Sequence, residues 1–141
     1  MRFIMNMISY ILSIRQSVRV FLVVIYIGFI AALSLLPPKD LPHIPMFRGA
    51  DKLIHCGMYF IFSLLSCWTL KTEQNYLRLF FIATGTIGWG ILMEYLQLYM
   101  HRGRSFSWYD ELANSIGVTF GILIYIIVSR ITIANSASKS V

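Results

Sequence analysis

Residues 94–121 read EYLQLYMHRGRSFSWYDELANSIGVTFG, and the polar letters in this stretch decide how the rest of the chain is read. An apolar segment, 79–93, runs directly into Glu94. Gln97, the turn Arg102-Gly103-Arg104, Asp110, Glu111 and Asn114 follow, and the chain then becomes apolar again. Glu94, Asp110 and Glu111 are three of the six carboxylates in the whole chain. In so oily a sequence that grouping calls for a physical cause.

The 141 residues suit a single domain, and they are 57% hydrophobic and only 13% charged. Mean hydropathy is +0.70. Soluble domains are about 45–50% apolar and about 25% charged, so this chain has too few polar side chains to cover a water-facing surface. The expected class is an integral membrane protein. The net charge of +6 is dispersed between apolar segments and forms no stripe, which argues against nucleic acid as a partner. Cationic loops on a membrane protein set its orientation and meet anionic lipid. Cys56 and Cys67 lie within one apolar segment, too far apart along a helix to bridge, and read as free thiols.

Outward from the opening stretch, four apolar segments are long enough to cross a bilayer: 18–36, 53–70, 77–99 and 111–129. Pro37-Pro38 ends the first, because neither residue donates a backbone hydrogen bond and each restricts its predecessor. Asp51 is placed to cap the second helix at the positive end of its dipole. The fold predicted is all-α, a polytopic bundle of four transmembrane helices over 18–129. An N-terminal segment, 1–17, is either a short amphipathic interfacial helix or flexible, and a polar tail, 130–141, is expected to be flexible. Trp68, Tyr76, Tyr99, Trp108 and Tyr109 fall near span ends, as an aromatic belt does.

Four spans put both termini on one side. With that side cytoplasmic, the inner segments hold Arg2, Arg15, Arg19, Lys71, Arg78, Arg130 and Lys139, and the outer loops hold Lys39, Arg48, Lys52, Arg102 and Arg104. The bias favours cytoplasmic ends. Asp51, Lys52, His55, Tyr59, Glu94, Gln97, Arg102, Arg104, Asp110 and Asn114 then converge at the outer end of the bundle.

Spacing supports that convergence. Asp51, His55 and Tyr59 recur every four residues and share a helix face, as do Glu94 with Gln97 and Asp110 with Asn114. A lone carboxylate at the depth of Glu94 costs on the order of 2.5–3.5 kcal/mol or more. An arginine or His55 as partner, or a proton held on the acid, would offset that cost. Polar glue between helices explains Gln97 and Asn114 as readily as ligand binding does, whereas His55, Glu94 and Arg104 together point to a functional site. Gly117 and Gly121 form a GxxxG pair that suits close helix packing, within the monomer or in a homodimer. His43 and His101 read as solvated loop residues.

No HExxH or paired CxxC occurs, and a His55–Glu94–Asp51 grouping lacks any ligand-spacing signature, so no metal or cofactor is expected. Phosphate loops and nucleophile elbows are absent from the sequence as well. Arg102 and Arg104 suit bidentate binding of a phosphate or carboxylate. His55, beside Asp51 or Glu94, suits proton transfer, with His55, Glu94 and Asp110 the candidate catalytic residues.

DKLIHCGMY at 51–59, MEYLQ at 93–97 and GRSFSWYDELANSIG at 103–117, in that order and each at the mouth of a span, resemble the VanZ-like family of small bacterial membrane proteins. The resemblance covers residues 20–129. It implies a multi-pass protein of the bacterial cytoplasmic membrane, linked to tolerance of glycopeptide antibiotics of the teicoplanin type, and it implies no particular reaction. Some relatives are expected to carry an acidic residue near Ser107, and its absence here disfavours a two-carboxylate mechanism in that loop. Three functions compete. The first is an envelope protein whose polar cluster binds membrane lipid, a lipid-linked cell-wall precursor or a lipoglycopeptide head group. The second is a small membrane enzyme acting on an outer-leaflet lipid or precursor, with His55 as base and Arg104 as anion clamp. The third is a scaffold held together by the cluster.

Overall fold

The computed structural model describes residues 10–11, 13–37, 47, 49–70, 75–100 and 105–137. Four helices dominate: α1 (Gln16–Leu35), α2 (Ala50–Leu70), α3 (Tyr76–Met100) and α4 (Trp108–Ala137). At about 1.5 Å of rise per residue, about 20 residues cover the hydrocarbon core. All four helices are long and apolar enough to cross it. The protein is an all-α, four-helix, multi-pass membrane protein. Its outward surface carries Phe21, Phe80, Phe81, Leu112, Phe120 and Ile131, all exposed, which is the surface that lipid requires.

Each helix starts before the apolar window that marks it. α2 begins at Ala50, one residue before Asp51, so Asp51 sits in the first turn and is not the cap. Gly49 precedes it with φ +91°, a left-handed conformation that favours glycine. Asn75 caps α3, its Oδ1 accepting the Arg78 N–H at 3.0 Å. Ser107 caps α4: its Oγ accepts the Asp110 N–H at 3.3 Å, and its carbonyl accepts the Glu111 N–H at 3.2 Å. α4 also continues to Ala137, replacing the irregular tail expected from Arg130 onward. The segment RITIA has no Gly or Pro to stop it. Residues 1–9 and the loop residues Lys39, His43, Arg48, Lys71, His101, Arg102 and Arg104 lie outside the described residues, as does Lys139.

α2 is the central helix and touches the other three, with its pairing to α4 the most extensive in the bundle. The cause is Gly117 and Gly121. A Cβ on Gly117 would run into the Cys56 carbonyl oxygen and lie 3.0 Å from the Phe60 nitrogen, and one on Gly121 would meet Ser63 Oγ and lie 2.6 Å from the Phe60 oxygen. The two backbones therefore touch along this seam. One core cluster joins Ile30, Tyr59, Phe62, Met93 and Val118, at least one residue from each helix. A second joins Cys67, Leu79, Ile82 and Tyr125 toward the opposite end.

That opposite end is closed by cations. Arg19, only 2% exposed, donates from Nη1 to the Trp68 carbonyl at 2.8 Å and stacks 5.5 Å from the Trp68 ring centroid. Arg78 donates to the Leu70 carbonyl at 3.2 Å. Both arginines meet the negative end of the α2 dipole, where carbonyls lack helical partners.

Candidate functional site

At the other end, three helices contribute polar side chains. The first turns of α2 carry Lys52, His55 and Tyr59, the last third of α3 carries Glu94 and Gln97, and the start of α4 carries Asp110, Glu111 and Asn114. Neighbouring helices that alternate in direction bring these positions to one membrane level.

Glu94 is 1% exposed. Its Oε2 accepts the Ser107 backbone N–H at 2.9 Å. In a capping box an acid three residues into the helix takes the amide of the cap residue. Here a glutamate from a different helix does so, and this fastens the start of α4 to α3. An arginine, His55 or a bound proton is what the sequence leads one to expect at this carboxylate; the described bond is to a backbone amide, and Arg102 and Arg104 lie outside the described residues.

His55 is held from α4. Its Nδ1 lies 3.1 Å from Asn114 Oδ1, and Asn114 Nδ2 donates to Glu111 Oε2 at 3.1 Å. A carboxylate accepts and does not donate, so the Asn114 amide nitrogen turns toward Glu111 and its oxygen toward the ring. In the neutral ring this places the proton of His55 on Nδ1 and the lone pair on Nε2. Gly90 makes room for this chain: a Cβ there would sit 2.7 Å from Glu111 Oε2 and 3.0 Å from Asn114 Nδ2.

Lys52 Nζ donates to Asp110 Oδ1 at 2.9 Å and to Asp51 Oδ2 at 2.7 Å. Asp51 is exposed, so its pairing adds little stability. A ligand atom from each of His55, Glu94 and Asp110 lies within 4.8 Å of the others. His55 and Asp110 are half-buried, which leaves the group reachable from the end of the bundle. Tyr59 Oη, Gln97 Nε2 and Glu111 Oε1 are buried with no hydrogen-bond partner among the described residues. The arrangement can accept a proton at His55, hold a cation between His55 and the carboxylates, or receive a polar head group.

Of the residues singled out in the sequence, Lys52, His55, Tyr59, Glu94, Asp110 and Asn114 gather here. Gln97 is buried on the Glu94 face of α3, and Asp51 stays at the rim, reached only through Lys52. Arg102 and Arg104 lie outside the described residues. Glu111, Ser107 and Gly90 were missed. The i, i+3 spacing of Glu111 and Asn114 carried a signal for the first, and the Ser-x-x-Asp pattern at 107–110 for the second. Gly85, Gly88 and Gly90 all read as glycines that permit close approach in a span, and nothing in the sequence sets Gly90 apart as the one beside the site.

No protein-family model, no curated protein and no solved structure matches this chain.

Proposed function

We propose that the chain is a VanZ-like protein of the bacterial cytoplasmic membrane whose outward-facing polar end receives the head group of a lipid-linked cell-wall precursor or a lipoglycopeptide. The observation that carries this reading is the convergence of His55, Glu94 and Asp110 at one reachable end of the bundle. Intramembrane ionisable groups are costly and mark function by default. The orientation rests on charge. Over the full sequence the terminal side holds seven basic residues, Arg2, Arg15, Arg19, Lys71, Arg78, Arg130 and Lys139, against five on the cluster side, Lys39, Arg48, Lys52, Arg102 and Arg104. Positively charged segments stay in the cytoplasm, which turns the cluster outward and both termini inward.

A second reading, a small enzyme acting on an outer-leaflet lipid or precursor, is favoured by one observation. Asn114 holds His55 in the tautomer that leaves Nε2 able to accept a proton. Lipid and cell-wall precursor profiles of a deletion strain beside a His55→Gln strain test both readings. A species accumulating in both strains supports catalysis. Unchanged profiles with altered teicoplanin sensitivity support head-group binding. If His55→Gln, Glu94→Gln and Arg104→Gln change neither growth, envelope composition nor sensitivity at normal protein abundance, both readings fail.

A further inference from the structure

We propose that His55, Glu94 and Asp110 form a binding site for a divalent transition-metal ion of the zinc class. Four observations support it. First, the three ligand atoms already lie within 4.8 Å of one another, on three different helices. Zinc–ligand bonds are about 2.0–2.2 Å for nitrogen and oxygen, so ligands around one ion sit roughly 3–4 Å apart, and modest rotations of the side chains close the difference.

Second, the imidazole is prepared for it. A metal-binding histidine nearly always donates its other N–H to a carboxylate, a carbonyl or water, which fixes the tautomer and the ring. His55 does so through Nδ1 to Asn114 Oδ1 at 3.1 Å, and Asn114 is itself anchored on Glu111. In the neutral ring the lone pair is then on Nε2, the nitrogen that would take the ion.

Third, acids gather at this end. Among the described residues, Asp51, Glu94, Asp110 and Glu111 lie here, with Lys52 at the rim between Asp51 and Asp110. A divalent ion against Glu94 and Asp110 matches the charge of the two carboxylates it would touch, and low-dielectric surroundings favour such pairing.

Fourth, buried polar atoms beside the trio lack partners among the described residues. Glu111 is 6% exposed with Oε1 unpartnered, and Tyr59 is 1% exposed with Oη unpartnered among the described residues. Both lie within electrostatic range of Glu94. Buried polar atoms are ordinarily satisfied by protein, water or ligand, so this pair leaves acceptor and donor capacity beside the trio.

The donor set of one imidazole and two carboxylates, with no thiolate, suits zinc, manganese or iron and disfavours copper(I). Three protein ligands with an open position are the pattern of a metal site that also receives water or substrate. The inference does not rest on the head-group reading: a chain that holds zinc and no head group leaves it standing.

The test uses the full-length, tag-free protein in nanodiscs, stripped with a chelator and titrated with Zn2+. Uptake of about one equivalent per chain is expected, with Co2+ giving visible bands of nitrogen and oxygen coordination. His55→Gln, Glu94→Gln and Asp110→Asn should each abolish that uptake. Asp51→Asn, outside the trio, should retain it. Asn114→Ala, which frees the His55 ring, should weaken it roughly 10–100-fold. Near-UV circular dichroism identifies any variant that has failed to fold, and the wild-type titration decides alone if all of them do. No wild-type uptake overturns the proposal. So does uptake that survives in the folded ligand variants, which is an adventitious ion only.

Discussion

A methyl group added at Gly117 should destabilise the protein, and the same methyl group at Gly85 should stabilise it. Both glycines lie inside helices, where exchange of glycine for alanine contributes about 0.8–1.0 kcal/mol through backbone entropy. Around Gly85 nothing stands within 4 Å of the new Cβ, so Gly85→Ala keeps the whole gain. At Gly117 the Cβ collides with the Cys56 carbonyl oxygen and sits 3.0 Å from the Cys56 carbon and the Phe60 nitrogen. These are backbone atoms of α2, and no rotamer change removes them. The helices must separate by on the order of 1 Å to restore ordinary contact at about 3.5–4.0 Å. Overpacking of this kind costs about 1–3 kcal/mol. The separation also stretches the His55–Asn114 bond, now 3.1 Å, two turns or less along the same seam. A hydrogen bond of that kind is worth about 1 kcal/mol. The sum of these effects, less the propensity gain, is a net loss of about 1–3 kcal/mol for Gly117→Ala. Equilibrium unfolding by SDS in mixed micelles measures both variants on one scale. Gly117→Ala at or above wild-type stability would refute the reasoning, because backbone contact at this seam would then not exist.

Other substitutions probe the remaining elements. Glu94→Ala leaves the Ser107 amide without its acceptor and should cost about 1–3 kcal/mol beyond the lost packing, whereas Glu94→Gln keeps an oxygen and should cost about 1 kcal/mol. Equal losses in the SDS titration would contradict the cap from α3. Arg19→Met removes a cation from the carbonyl end of α2 and should cost about 1–2 kcal/mol, with Arg19→Lys recovering only part, since lysine does not reproduce both the ring stacking and the Trp68 carbonyl bond. Full recovery by lysine would leave charge alone as the cause. In a background lacking Cys56 and Cys67, Ser105→Cys should react with a membrane-impermeant maleimide in intact cells, and Arg130→Cys should react only after lysis. The reverse pattern would place the cluster in the cytosol.

How much of this could be read beforehand follows from the kind of partner each residue has. The four spans were legible because crossing a bilayer demands unbroken apolar length, and Pro37 and Gly49 mark where two helices stop and start. Much of the cluster was legible because Asp51, His55 and Tyr59, and Asp110 with Asn114, repeat at helical spacing. Spacing along one helix cannot choose between helices, however. It grouped His55 with Asp51, whereas the fold sets Asp110 beside His55 and Glu94 and leaves Asp51 at the rim. Glu94 is met by a backbone amide, which every residue but proline offers, so no letter announces it. Glu111 shares the first turn of its helix with Asp110, where the helix dipole favours any acid, so its position alone does not announce the bond to Asn114. Arg19 stands at the edge of an apolar run, where an arginine is expected to reach into water, and only packing against Trp68 buries it.

The seam between α2 and α4 ties packing to chemistry. Asp110, Asn114, Gly117 and Gly121 fall on one stripe of α4, and the residues opposite are Lys52, His55, Cys56, Phe60 and Ser63 of α2. Asparagine is short. For its amide to reach an imidazole on another helix, the two backbones must already be near contact, and the two glycines supply that approach in the next turns. A bulkier seam would hold the helices apart, and Asn114 would then reach neither His55 nor, through it, a fixed ring nitrogen. The glycines therefore set the geometry of the cluster without touching anything that enters it. It also follows that low abundance after a glycine substitution says nothing about chemistry, since fold and site fail together there. Isosteric changes at His55, Glu94 and Asp110 separate the two, because they alter charge and basicity while the backbone contact that positions them stays in place.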